Sequence, residues 1–69
     1  MARRKDGIET RNRILTVARE VFSEKGYHDA TVEDICSQAK SNIAAINYHF
    51  GSKDELYAHV WRRAFDEAN

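Results

Sequence analysis

Only three glycines interrupt the helical pattern of this chain. The sequence holds no proline, and Gly7, Gly26 and Gly51 each fall where a helix should begin or end. Between them the apolar residues recur three and four apart, the spacing that lines one helical face. With 69 residues the chain makes one domain at most. A core of that size supplies about 3–5 kcal/mol unless a disulfide, a metal or a partner surface supports it.

The usual staples are missing from the sequence. Cys36 is the single cysteine, which excludes an internal disulfide framework and a CxxC zinc spacing. An unpaired thiol suits a reducing cytoplasm. The longest apolar run is too short to span a bilayer, and the charged N-terminus has no apolar segment behind it. A cytoplasmic protein is expected, without a membrane association.

The first helix is expected to start near Asp6, Gly7 or Ile8, where Asp6 and Glu9 have the form of a capping box. Ile14, Leu15, Ala18, Val21 and Phe22 form its apolar stripe, and Lys25-Gly26-Tyr27 ends it. Gly26 would take the left-handed position there, with Tyr27 folding back onto the last turn. Thr31 and Asp34 cap a second helix whose short apolar face is Val32, Ile35, Cys36 and Ala39. Lys40-Ser41-Asn42 breaks the pattern, and Asn42 is a good N-cap for a third helix over 43–49, anchored by Ile46 and Phe50. Ser52 and Glu55 open a fourth, with Leu56, Tyr57, Val60, Trp61, Ala64 and Phe65 on one side. That face is broad for a terminal helix. Trp61 and Phe65 either close the core or face a surface outside this sequence, such as a following domain or a second copy.

The formal net charge is zero, but the charges are unevenly distributed. Between Asp34 and Asp54 there is no acidic residue, while Lys40, His49 and Lys53 lie inside that stretch. Arg3, Arg4, Lys5, Arg11 and Arg13 crowd the N-terminus against Asp6 and Glu9. Chance clustering on a solvated surface gives the same pattern, so charge alone decides nothing.

Two short helices joined by a tight turn and braced by a longer helix make a helix-turn-helix. The fold class expected is therefore all-α, a homeodomain-like three-helix bundle with the start of a fourth helix. Residues 1–7 would form a basic arm, 31–50 the helix-turn-helix and 52–69 a connecting helix. In such a unit the second short helix must enter the DNA major groove. Ala44 and Ala45 permit close approach, and Asn47, Tyr48 and His49 offer donors and acceptors at the helix end.

Spacing alone leaves this open, because short helix pairs also occur in protein-binding modules. More specific are the runs Arg13-Ile14-Leu15, Ala18-Arg19-Glu20-Val21-Phe22, Gly26-Tyr27, Thr31-Val32-Glu33-Asp34-Ile35 and Ala44-Ala45-Ile46-Asn47-Tyr48-His49-Phe50-Gly51-Ser52-Lys53-Asp54-Glu55-Leu56. Over roughly residues 8–60 the chain resembles the DNA-binding domain of TetR-family transcriptional regulators. The resemblance implies sequence-specific binding of double-stranded DNA, most often as a ligand-responsive repressor acting on a palindromic operator. It implies that Thr31 and Val32 approach a phosphate, that Tyr48 and His49 contact phosphates or bases, and that Lys53 pairs with a phosphate. Arg3, Arg4 and Lys5 would reach the backbone or minor groove. Asn42, Ile43, Ala44, Ala45 and Asn47 complete the expected DNA-facing set.

The resemblance also implies a larger helical domain that dimerises and takes a small-molecule effector. That domain is not in this sequence, so the chain reads as an excised or truncated head, monomeric or weakly self-associating by itself. Two departures stand out. Family members usually have glycine in the turn where this chain has Lys40, a strained choice that adds a candidate phosphate contact. The common Tyr-Tyr pair is Asn47-Tyr48, whose amide either reads adenine or binds phosphate or water.

Other chemistries find little support. His28, Cys36, His49 and His59 lie eight or more residues apart, which fits no standard metal spacing. Ser23, Ser37, Ser41 and Ser52 lack a neighbouring base and orienting acid, and there is no glycine-rich phosphate loop. No enzyme activity, metal or cofactor is expected. The competing expectation is a helical protein-interaction module using Trp61 and Phe65.

Overall fold

The structure is a computed structural model that describes the backbone of residues 2–68 and the side chains of residues 7–67. Its elements are α1 (Ala2–Asp29), α2 (Val32–Ala39), α3 (Ile43–His49) and α4 (Lys53–Ala68). The all-α architecture is the one read from the sequence, with α1 packed against α2 and α4, and α2 and α3 joined by a short turn.

The start of α1 corrects the expectation. The helix begins at Ala2, ahead of the capping pattern at Asp6 and Glu9. Ala2, Arg3, Arg4 and Lys5 are strong helix formers, and a glycine inside a helix costs only about 1 kcal/mol relative to alanine. A local cap pattern does not force a break against that. The side chains of Arg3, Arg4 and Lys5 lie outside the described residues, as does any contact they make.

Gly26 breaks α1 as expected, but its conformation differs from the left-handed helical one. At φ 80 and ψ 164 it lies in the region reserved for glycine. The chain turns there, and the Ala30 N–H donates to the Gly26 carbonyl at 3.0 Å. Tyr27 folds back as read, its ring stacked 6.0 Å from that of Phe22.

The core is the expected stripe with one addition. Ile14, Leu15, Ala18, Val21 and Phe22 of α1 meet Ile35, Cys36 and Ala39 of α2, Ile46 and Phe50 around α3, and Leu56 and Val60 of α4. Ala30, in the link between α1 and α2, is also fully buried. Burial, and after it the nearby Glu33 charge, raises the Cys36 thiol above its ordinary pKa. Cys36 is therefore a small core residue kept as the neutral thiol. Trp61 and Phe65 are 53% and 70% exposed and do not close the core.

Each of the last three helices opens on the cap read from the sequence. Thr31 Oγ1 accepts from the Asp34 N–H at 3.0 Å, Asn42 Oδ1 from Ala45 at 2.9 Å, and Ser52 Oγ from Glu55 at 3.2 Å. Each bond satisfies a helix-start donor, and losing one costs about 1 kcal/mol. These caps set where α2, α3 and α4 begin, and so fix which side chains α3 turns outward.

Candidate nucleic-acid interface

The turn between α2 and α3 determines how α3 is presented. Ser41 N–H donates to Cys36 O at 3.0 Å and Lys40 N–H to Ser37 O at 3.4 Å, the paired bonds of a Schellman motif. The motif needs a left-handed residue, and Lys40 supplies it at φ 56, ψ 43. Lysine thus stands where glycine would cost nothing. Ser41 occupies the next position, where an apolar residue commonly packs back onto the helix. Its hydroxyl oxygen is buried without a hydrogen-bond partner among the described residues.

On α3, Ile46 is buried, Ala45 and His49 are half-buried, and Ile43, Ala44, Asn47 and Tyr48 are exposed. At 100° per residue the exposed four form one continuous arc of the helix, opposite the core. Tyr48 extends furthest, 85% exposed. Its ring meets the edge of His49 at 5.1 Å, and His49 in turn lies 6.1 Å from Phe50. Phe50 sits in the core between the Arg11 guanidinium, 5.2 Å from its ring centroid, and His59 at 5.3 Å. The outward end of α3 is thereby locked to both α1 and α4. Asn42 and Thr31 are exposed at the starts of α3 and α2, while Val32 is half-buried against the core.

The electrostatics qualify the acid-free reading. Glu33 and Asp34 stand in the first turn of α2, beside Thr31 and Val32. Carboxylates there favour the helix dipole but would repel a phosphate. Lys25 offsets part of this charge, its Nζ 2.9 Å from Asp34 Oδ2. Hydrogen bonding from Lys25, and after it from Thr31, holds the Asp34 carboxyl below its ordinary pKa.

Three contacts around this surface carry no sequence signal, because their partners are far apart in the chain. Arg13 Nε donates to Ala39 O at 2.7 Å, bracing the turn from α1. Arg11 covers Phe50 at the end of α3. Lys53 Nζ stands 4.3 Å from the centroid of the Tyr27 ring. The surface thus presents an exposed helix arc, a strained basic turn and a lysine held on an aromatic ring.

The comparisons with known proteins agree with this geometry. The family model for bacterial regulatory proteins of the tetR family matches residues 14–60, spanning α2, α3, the core of α1 and the start of α4. The chain belongs to the tetR family. It is 37% identical over 75 aligned positions to the HTH-type transcriptional repressor NicS of Pseudomonas putida, covering 100% of this chain and 35% of that protein. It is 45% identical over 47 residues to the HTH-type transcriptional regulator UidR of Escherichia coli, covering 68% of this chain and 24% of the relative. The HTH-type transcriptional activator FasR of Mycolicibacterium smegmatis is 40% identical over 58 residues, 84% of this chain and 26% of its own length. No solved structure matches the chain. The chain spans about a third or less of the length of these relatives. As a tetR-family helix-turn-helix domain it is a DNA-binding unit. Among the described residues, no helix is long and apolar enough to cross a membrane.

Proposed function

We propose that α3 enters the DNA major groove and that the domain acts as the reading head of a ligand-responsive repressor. The exposed arc of Ile43, Ala44, Asn47 and Tyr48 supports this reading: it is narrow, free of carboxylates and ends in hydrogen-bonding groups. Ala44 leaves room for close approach, Asn42 and His49 flank the arc, and Ala45 lies at its edge. Thr31 Oγ1 accepts the capping bond and keeps its own O–H to donate, so a phosphate at the start of α2 would meet that hydroxyl together with the backbone N–H groups of Val32 and Glu33. Lys53 and Lys40 supply phosphate contacts on either side of α3, and Arg3, Arg4 and Lys5 reach the backbone or minor groove from the start of α1.

In the whole regulator, two such heads on a homodimer read the half-sites of a palindromic operator in the cytoplasm. An effector-binding domain sets their separation. A single head lacks the effective concentration that linkage provides, so its binding is weak and strongly salt-dependent. Repression follows the names of NicS and of the negative regulator IcaR of Staphylococcus aureus, against FasR, which is named an activator.

Lys53→Glu tests the reading: it abolishes DNA binding if the surface around α3 meets phosphates. Asn47→Ala, measured against a panel of duplexes selected from a random pool, separates two roles. Selective loss at one position means base reading by the amide, whereas uniform weakening means a phosphate or water contact. A second reading, docking of a protein partner on α4, draws on the exposure of Trp61 and Phe65. In that case Lys53→Glu leaves the interaction intact.

A further inference from the structure

We propose that Tyr27 is a positioning residue for Lys53, holding the lysine's charge on the face of its ring so that the ammonium donors stay available to a DNA phosphate. The inference rests on the reading of Lys53 as a phosphate contact.

Lys53 is the first residue of α4, where the positive end of the helix dipole disfavours a cation. Two carboxylates follow it directly, yet neither Asp54 nor Glu55 forms an ion pair with it among the described residues. The Glu55 carboxylate is turned toward the helix start instead, where a Cβ placed on Gly51 would come within 2.9 Å of Oε2. The ammonium lies over the Tyr27 ring, 4.3 Å from its centroid. An ion pair would neutralise the charge and occupy its donors. A ring attracts the charge through its quadrupole and leaves the N–H groups unclaimed. Lys25 shows the contrast, since its Nζ sits 2.9 Å from Asp34 Oδ2 and is taken up there.

The ring itself is fixed. Gly26, at φ 80 and ψ 164, turns the chain so that Tyr27 faces α4. Phe22 stacks on Tyr27 at 6.0 Å, and Tyr57 meets it edge-on at 4.8 Å. A long, rotamer-rich lysine loses entropy when ordered. Resting on a fixed ring in the free protein reduces the part of that loss that DNA binding must supply.

The test measures binding of the whole chain to a mixed-sequence duplex about two helical turns long, as a function of salt. Variants are Tyr27→Phe, Tyr27→Leu and Lys53→Met, with the Tyr27 changes repeated in the Lys53→Met background. Tyr27→Phe keeps the π face and binds within about twofold of the parent, whereas Tyr27→Leu binds about three- to fivefold more weakly. The Tyr27→Leu loss disappears in the Lys53→Met background, which a merely structural role would not produce. If Tyr27→Leu does not fold, increasingly fluorinated phenylalanines at the same position keep the shape and withdraw the ring's electrons, and affinity falls in step with fluorination. The proposal is overturned if the leucine and fluorinated variants bind like the parent, or lose equally in both backgrounds. If Lys53→Met itself leaves affinity and salt slope unchanged, the phosphate reading of Lys53 fails first, and this proposal fails with it.

Discussion

Arg13 Nε donates to the carbonyl oxygen of Ala39 at 2.7 Å, tying α1 to the turn that aims α3. The carbonyl is one of those left over at the end of α2 once the Schellman bonds have taken Cys36 and Ser37. A charged donor to a partly buried carbonyl is worth more than an ordinary surface bond.

Arg13→Met keeps the aliphatic stem and deletes the donor. It should cost about 1.5–2 kcal/mol in urea unfolding, the lower part of the range for charged hydrogen bonds because the site is only partly buried. Unchanged stability would mean that the turn is held by its backbone alone.

Lys40→Gly should stabilise the domain. The left-handed conformation at φ 56 costs a non-glycine residue about 1–2 kcal/mol, partly offset by the greater freedom of glycine in the unfolded chain. A net gain of up to about 1 kcal/mol raises Tm by about 4–8 °C in a domain of this size. If Lys40 also meets a phosphate, the same variant lowers the salt slope of DNA binding by about one unit. A lower Tm would refute the strain argument.

Ser41→Val should stabilise as well, by about 1 kcal/mol or more. It removes a buried hydroxyl that lacks a partner and places an apolar group where a Schellman motif favours one. Thermal melts of the parent, Ser41→Ala and Ser41→Val should rise in that order. A fall at Ser41→Ala would show that the hydroxyl is satisfied in solution.

Asp34 should make a small contribution to acid sensitivity. Its folded pKa is depressed, so its contribution is fully present above the ordinary value of 3.8 and is lost as pH falls below that value through the folded one. Lys25→Met removes the first cause of the depression. NMR titration of the Asp34 carboxyl should then move back up toward 3.8, and an unmoved titration would show that Thr31 alone sets it.

The elements legible in the sequence were those fixed by short-range rules. Thr31, Asn42 and Ser52 each bond to an N–H three residues on, and the stripe from Ile14 to Phe22 follows helical spacing. The start of α1 was misread for the same reason, since the Asp6–Glu9 pattern says nothing about the helix formers before it. The glycine at 26 was legible as a break, but its φ and ψ depend on how Tyr27 docks against Phe22 and Tyr57. In the candidate site, the outward residues of α3 could be read once Ile46 and Phe50 were placed in the core. Arg13 on Ala39 and Lys53 on Tyr27 could not, because each joins elements that meet only after the bundle has formed.

The most direct test of the account is an NMR titration of the labelled chain with a mixed-sequence DNA duplex at low and then raised salt. Amide shifts are expected at Thr31–Asp34 and Lys40–Lys53, and at Arg3–Lys5, fading as salt rises. Silence at those residues, with Trp61 and Phe65 broadening as protein concentration increases, would contradict it and point to α4 as the working surface.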